Sequence, residues 1–262
     1  MKAILQGILA LALLCSPAMA QSDVSTDFVP DRPGVSTPPD VVTFRKVQME
    51  DGFQYENTRG AGICSQNFLF SSLLVRYGFV RGAELRMAAD FAYNVVTDSS
   101  GPSVVSGFDA ITISSKIKLI EQKKAIPNIS LMFDLTLPYI GNKKLRPDNF
   151  APSFYLLMSN NLTDKLNLCY NYGMTWDGSS PIPTHFYAAS LALALAPEWS
   201  VYLEGYGYSA LHTASAFYMD TGVAFLINNH LQLDFSITGS INSIRDYYML
   251  NAGIAWKIPG KP

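Results

Sequence analysis

From residue 41 to its end this chain runs through some ten segments in which apolar and polar residues alternate, joined by connections that are short, then long, then short again. In an extended strand successive side chains point to opposite faces, so each segment has one apolar and one polar face. Residues 165–176 show it best. Leu166, Leu168, Tyr170, Tyr172, Met174 and Trp176 share one face, and Asn167, Cys169, Asn171, Gly173 and Thr175 the other. A helix would mix the two sets. Residues 83–93 repeat the pattern, with Glu84, Arg86 and Asp90 between Leu85, Met87 and Phe91, and charges at that spacing exclude a strand buried on both faces. Residues 129–137 and 231–238 repeat it again. One such segment fits a soluble sandwich with a wet face; their number and length favour a barrel with an apolar exterior.

Hydrophobic residues make up 48% of the chain and charged residues 15%, with no long apolar block. After residue 20 no run reaches the roughly 20 apolar residues of a spanning helix; the longest, 186–197, ends at Pro197. A membrane chain without such helices must close its sheet, because hydrocarbon satisfies no open edge. The expected fold is therefore all-β, a transmembrane antiparallel up-and-down barrel of about 12 strands. A net charge of -2 argues against a nucleic-acid partner.

Lys2, the apolar stretch Ile4 to Leu14 and the small-residue site Ala18-Met19-Ala20 read as a cleaved signal peptide over 1–20, which directs the chain across the inner membrane to the outer one. Residues 21–40, with Pro30, Pro33, Pro38 and Pro39, read as an extended leader on the periplasmic side, and 41–262 as the barrel. Cys64 and Cys169 fall on segments far apart, which disfavours a disulfide, and neither lies in a metal-ligating cluster. No cofactor is implied.

The expected strands are 45–56, 65–78, 83–94, 108–120, 127–138, 150–159, 165–177, 185–195, 200–209, 216–227, 231–240 and 247–258. An even total returns both ends to one side. Tight connections fall near Val80-Arg81, Gln122-Lys123, Leu162-Thr163, Pro197-Glu198 and Asn228-Asn229; longer ones fall near Gly60, Ser99, Lys143, Ser179, Ala214 and Asn242. The second strand changes parity between Phe70 and Leu73, which a bulge at Ser71-Ser72 would absorb. Tyr93, Tyr139, Phe150, Trp176 and Tyr247 form an expected outer aromatic girdle, and Tyr77, Trp199 and Trp256 an inner one. Asn251, Gly253, Trp256 and Ile258 fit the terminal-strand pattern read by the outer-membrane assembly machinery.

The segments Asp31-Arg32-Pro33-Gly34, LLVRYGFVRGAELRMAADF at 73–91, KLIEQKKAIPNISLMFDLTLP at 118–138, FAPSFYLLMSNNLTDKLNLCYNYGMTWDG at 150–178 and LQLDFSITGSIN at 231–242 together resemble the outer-membrane "MetA-pathway of phenol degradation" transporter family. The departure is Pro30 where family members tend to carry Thr before Asp-Arg-Pro. The resemblance implies passive uptake of small, aromatic or apolar solutes.

By parity the lumen is lined by Glu84, Arg86, Asp90, Lys116, Lys118, Asp134, Tyr202, Glu204, Tyr206, Asp220, Asp234 and Lys257. Basic residues gather on strands two to four and acidic ones on nine to eleven, with exceptions at Glu84 and Asp90, a transverse field that would orient a dipolar solute. Alternatively these charges pair across neighbouring strands, Lys116 and Lys118 with Asp134, and fill the interior. Ala188, Ser190, Ala192 and Ala194, with Gly205, Gly207, Gly222 and Gly253, would leave room. Two other readings remain open. An enzyme at the rim would need His185 or His212 to converge with Ser209, Ser215 or Asp220. A structural or adhesive barrel would act through its loops, of which 141–147, GNKKLRP, carries a basic cluster suited to lipopolysaccharide phosphates.

Overall fold

The computed structural model describes residues 28–241 and 246–258, so the expected signal peptide, the start of the leader (21–27), residues 242–245 and the last four residues lie outside the described residues. Twelve antiparallel strands form a closed barrel in which every strand pairs with its sequence neighbours and β1 pairs with β12. They are β1 (Val47–Gly60), β2 (Ile63–Val80), β3 (Ala83–Asp98), β4 (Gly101–Ile120), β5 (Asn128–Thr136), β6 (Ala151–Asn161), β7 (Leu166–Thr175), β8 (Thr184–Ala194), β9 (Trp199–Ala210), β10 (Ala216–Asn228), β11 (Leu231–Ser240) and β12 (Tyr247–Lys257). The closing ladder runs from Gln48 opposite Lys257 to Thr58 opposite Tyr247, leaving no edge.

The alternation in the sequence becomes the two faces of the wall. Leu85, Met87, Leu131, Leu191, Leu203, Leu233, Phe235 and Ile237 are exposed outward, while Glu84, Lys116, Ser130, Glu204, Ser236 and Thr238, on the opposite parity, are buried inside. This inverts a soluble fold, as lipid requires of the outer face.

Two hairpins differ from expectation. β1 and β2 meet at 61–62, and β3 and β4 at 99–100, so these connections are tight. Alternation carries the strands past the expected ends, and Ala61 and Gly62 (φ +49° and +79°) supply the positive dihedrals of a primed hairpin turn. The longer connections at this end are 137–150, 176–183 and 211–215. The parity change in β2 is absorbed between Leu69 and Ser71, one position before the expected bulge. Further register shifts lie between Glu50 and Gln54 in the β1–β2 ladder and between Ala89 and Phe91 in β3–β4. From β5 to β10 the ladders run without a shift.

The aromatic girdle is observed with one correction. Tyr93, Tyr139, Phe150, Tyr77, Trp199 and Trp256 are exposed outward, and Trp176 packs edge-on against Phe154. Tyr247 instead turns inward onto Tyr218, with centroids 4.6 Å apart, and Tyr248 takes the outer position against Tyr55.

Candidate functional site

The described part of the leader lies inside the barrel. Residues 29–42 thread through the lumen at the short-connection end, and the wall's polar side chains are arranged around them. The four prolines lack N–H groups and cannot join a ladder, yet buried backbone groups need partners. The wall supplies both kinds. Glu50 accepts from the Asp31 and Arg32 amides at 3.0–3.1 Å. Glu204 accepts from the Val35 and Ser36 amides at 2.8 and 2.9 Å, and from the Ser36 hydroxyl. Glu84 accepts from the Val42 amide at 2.6 Å. Conversely Lys116 Nζ donates to the Pro38 and Asp40 carbonyls, Ser130 to that of Pro39, and Asn171 both accepts from and donates to Thr37.

The ion pairs are stronger still. The Asp31 carboxylate meets Arg76 Nη1 at 3.0 Å, Arg86 Nη1 at 2.7 Å and Lys116 Nζ at 3.2 Å. Its neighbour Arg32 crosses over Gly52 of β1 and Gly253 of β12 and pairs with Asp234 of β11 at 3.1 Å. Arg76 also binds Glu50 at 2.9 Å and Glu84 at 3.0 Å. Burial alone would raise the Asp31 carboxyl pKa; Arg76, Arg86 and Lys116 overcome that and hold it well below the ordinary carboxylate range. Adjacent leader residues of opposite sign thus meet different parts of the wall, Asp31 the bases of β2–β4 and Arg32 the carboxylate of β11.

The sequence-derived lining residues fall into two groups. Glu84, Arg86, Lys116, Glu204 and Asp234 hold the leader, as described. Lys118 pairs with Asp40 at 3.8 Å and Glu121 at 3.9 Å, and Lys257 lies 5.8 Å from the Phe28 ring. Lys116 and Lys118 thus pair with the leader and not with Asp134. Tyr202 donates to Asp220 at 2.5 Å, and Thr238 supports the other oxygen. Tyr206 stacks on Tyr218 at 5.0 Å, near Tyr208 and Phe186. Asp90 and Asp134 lie beyond the leader and form no ion pair among the described residues. Asp90 lines a recess of about 520 Å³ at the long-connection end, with Asp109, Thr112, Thr136, Arg146 and Asp148.

The expected room is largely taken. Gly205 and Gly207 face outward, against Met219 and against Tyr187 and Phe217. Gly222 abuts the Tyr202 ring, and a Cβ at Gly52 or Gly253 would collide with the Arg32 guanidinium. Sequence reading did not single out Asp31 and Arg32 as site residues, nor Glu50, Arg76 and Asn171. The Asp-Arg-Pro-Gly run was the available sign. Of the rim residues, His185 and Asp220 part: His185 Nδ1 bonds the outward Tyr172 hydroxyl at 2.7 Å, while Asp220 is held inside by Tyr202.

A closed barrel with an apolar exterior, a polar interior and an internal plug defines a membrane β-barrel of the outer-membrane type. The chain belongs to the family described as "Putative MetA-pathway of phenol degradation", which it matches over residues 30–258. Its fold is similar to the COG4313 outer membrane channel from Pseudomonas putida F1 (15% identity, TM-score 0.62, 87% of this chain and 99% of that one). It is similar also to the KdgM porin in complex with disordered oligogalacturonate (11%, 0.52, 79% and 98%). A third similar fold is the transport unit of the autotransporter AIDA-I from Escherichia coli (8%, 0.54, 97% and 98%). No curated protein matches the chain.

Proposed function

We propose that this protein is a passive outer-membrane channel for small solutes, its short-connection end facing the periplasm and closed at rest by its own leader. The observation that carries this reading is the anchoring of Asp31 to β2, β3 and β4 and of its neighbour Arg32 to β11, by ion pairs inside the lumen. Closure by ion pairs and side-chain hydrogen bonds can exchange partners without unpacking the wall, whereas an apolar core could not. The solute class is small aromatic or apolar molecules. The family description supports it, as does the cluster of inward rings, Tyr155, Phe186, Tyr206, Tyr208 and Tyr218, packed against Val35 of the leader. The chain reaches the membrane by a signal peptide over residues 1–20, and its last strand engages the assembly machinery. Lipopolysaccharide is its outer-leaflet neighbour.

One observation favours a structural barrel instead: Arg76, Glu50, Glu84 and Lys116 are almost wholly buried around the leader. Flux separates the two readings. Proteoliposomes carrying the mature chain are assayed for uptake of phenol, beside a variant with Asp31→Asn and Arg32→Met. The channel reading expects uptake above empty liposomes and several-fold more in the variant. A heat-modifiable barrel, silent in both forms, would support the structural reading.

A further inference from the structure

We propose that the outward face of β6 and β7 beneath the 141–149 connection binds the lipid A moiety of lipopolysaccharide, its acyl chains in an aromatic cleft and its phosphates on Lys143 and Lys144. The cleft, about 440 Å³, is lined by Phe150, Pro152, Phe154 and Trp176 and closed above by 178–181. Elsewhere on the girdle the rings fill one another's space, as Phe68, Phe70 and Tyr93 do. Here Phe154 meets Trp176 edge-on at 6.1 Å, and Trp176 Nε1 donates to the Pro181 carbonyl at 3.1 Å. That bond folds the connection over the ring and fixes the cleft's upper wall.

The connection above is tied at both ends. Asn142 donates to Phe108 O through its amide at 2.7 Å and to Ser106 O through its side chain at 2.8 Å. Gly141, at φ +107°, packs against the Asp109 carbonyl, where a Cβ has no space. At the far end Asn149 Nδ2 donates to Gly178 O at 2.8 Å. Lys143 and Lys144 are exposed on this braced loop and form no ion pair among the described residues. Arg146 instead turns to the acidic recess inside. The loop that carries these two ammonium groups is tied through Asn149 to Gly178 in the wall of the cleft, so cations and apolar cleft share one rim and complement a ligand carrying phosphates and acyl chains together. Lipid A is the outer-leaflet constituent with both. The proposal needs the long-connection end to face outward but does not rest on conduction.

The test is native mass spectrometry of the refolded mature protein titrated with diphosphoryl lipid A in detergent. The expected result is one tightly bound lipid A. Lys143→Glu with Lys144→Glu should weaken binding roughly tenfold, as the loss of two charge-assisted contacts at an exposed rim predicts. Ser179→Trp, which fills the cleft and keeps both cations, should weaken it too. Should the charge-reversed form fail to refold by heat-modifiability, Lys143→Gln with Lys144→Gln replaces it, with a several-fold loss expected. Unchanged binding in the variants would overturn the proposal. So would phosphatidylglycerol binding as tightly as lipid A, or inorganic phosphate competing fully without an acyl chain.

Discussion

Asp31 and Arg32 are neighbours in sequence whose charges part company in the lumen, one toward β2–β4 and one toward β11. Arg76 is the hub of the first group, with 1% of its side chain exposed and three carboxylates in contact. Removing it leaves those carboxylates buried without their main counter-charge, so Arg76→Met should lower barrel stability by about 3–5 kcal/mol. Urea titration in detergent measures this. Lys118→Met, removing a longer and partly exposed contact to Asp40, should stay within about 1 kcal/mol. The depressed Asp31 pKa fixes a pH window as well. Such a carboxyl contributes fully above its ordinary value and loses that contribution as pH falls through the lowered one. The leader should therefore stay docked from neutrality down to about pH 4 and loosen only below it. Protease access to residues 28–43 against pH reports the transition, and release near pH 6 would contradict it.

At the scale of elements, the wall is uneven. Register shifts in three consecutive ladders lie at one level, near Asp51, Phe70 and Asp90, and Ser71 donates to Asp51 there at 2.9 Å. Ladder hydrogen bonds are interrupted at such shifts, whereas β5 to β10 pair continuously. Amides of 51–53, 70–73 and 90 should thus exchange with solvent faster than those of 168–173 and 201–206, as hydrogen exchange with mass spectrometry would show; uniform protection would count against it. Strand identity was legible because period-two alternation leaves little ambiguity once one face must meet lipid. Hairpin lengths at 61–62 and 99–100 were not, since polar residues near strand ends look like loop until the turn dihedrals are seen. The leader was least legible. Prolines erase periodicity, and nothing local in Asp31-Arg32-Pro33-Gly34 says that its partners lie on β2, β3, β4 and β11.

For the whole molecule, parity assigned the buried charges of the lumen but left their partners open. Pairing of Lys116 with Asp134 on the neighbouring strand gave way to pairing with Asp31 because the leader brings its own carboxylate into the lumen. The fold was therefore written in the alternation, while the state of its lumen depended on a segment outside it. The most direct test is to lock that segment. The Ser36 side chain lies against the Cys169 thiol, so Ser36→Cys in a Cys64→Ser background places two thiols together for a disulfide between leader and β7. Single-channel conductance of this variant in a planar bilayer, oxidised and then reduced, reads the leader's role. A leader that closes the lumen gives a silent barrel when oxidised and discrete openings on reduction. Equal conductance in both states would show that ions pass without displacing the leader and would contradict it.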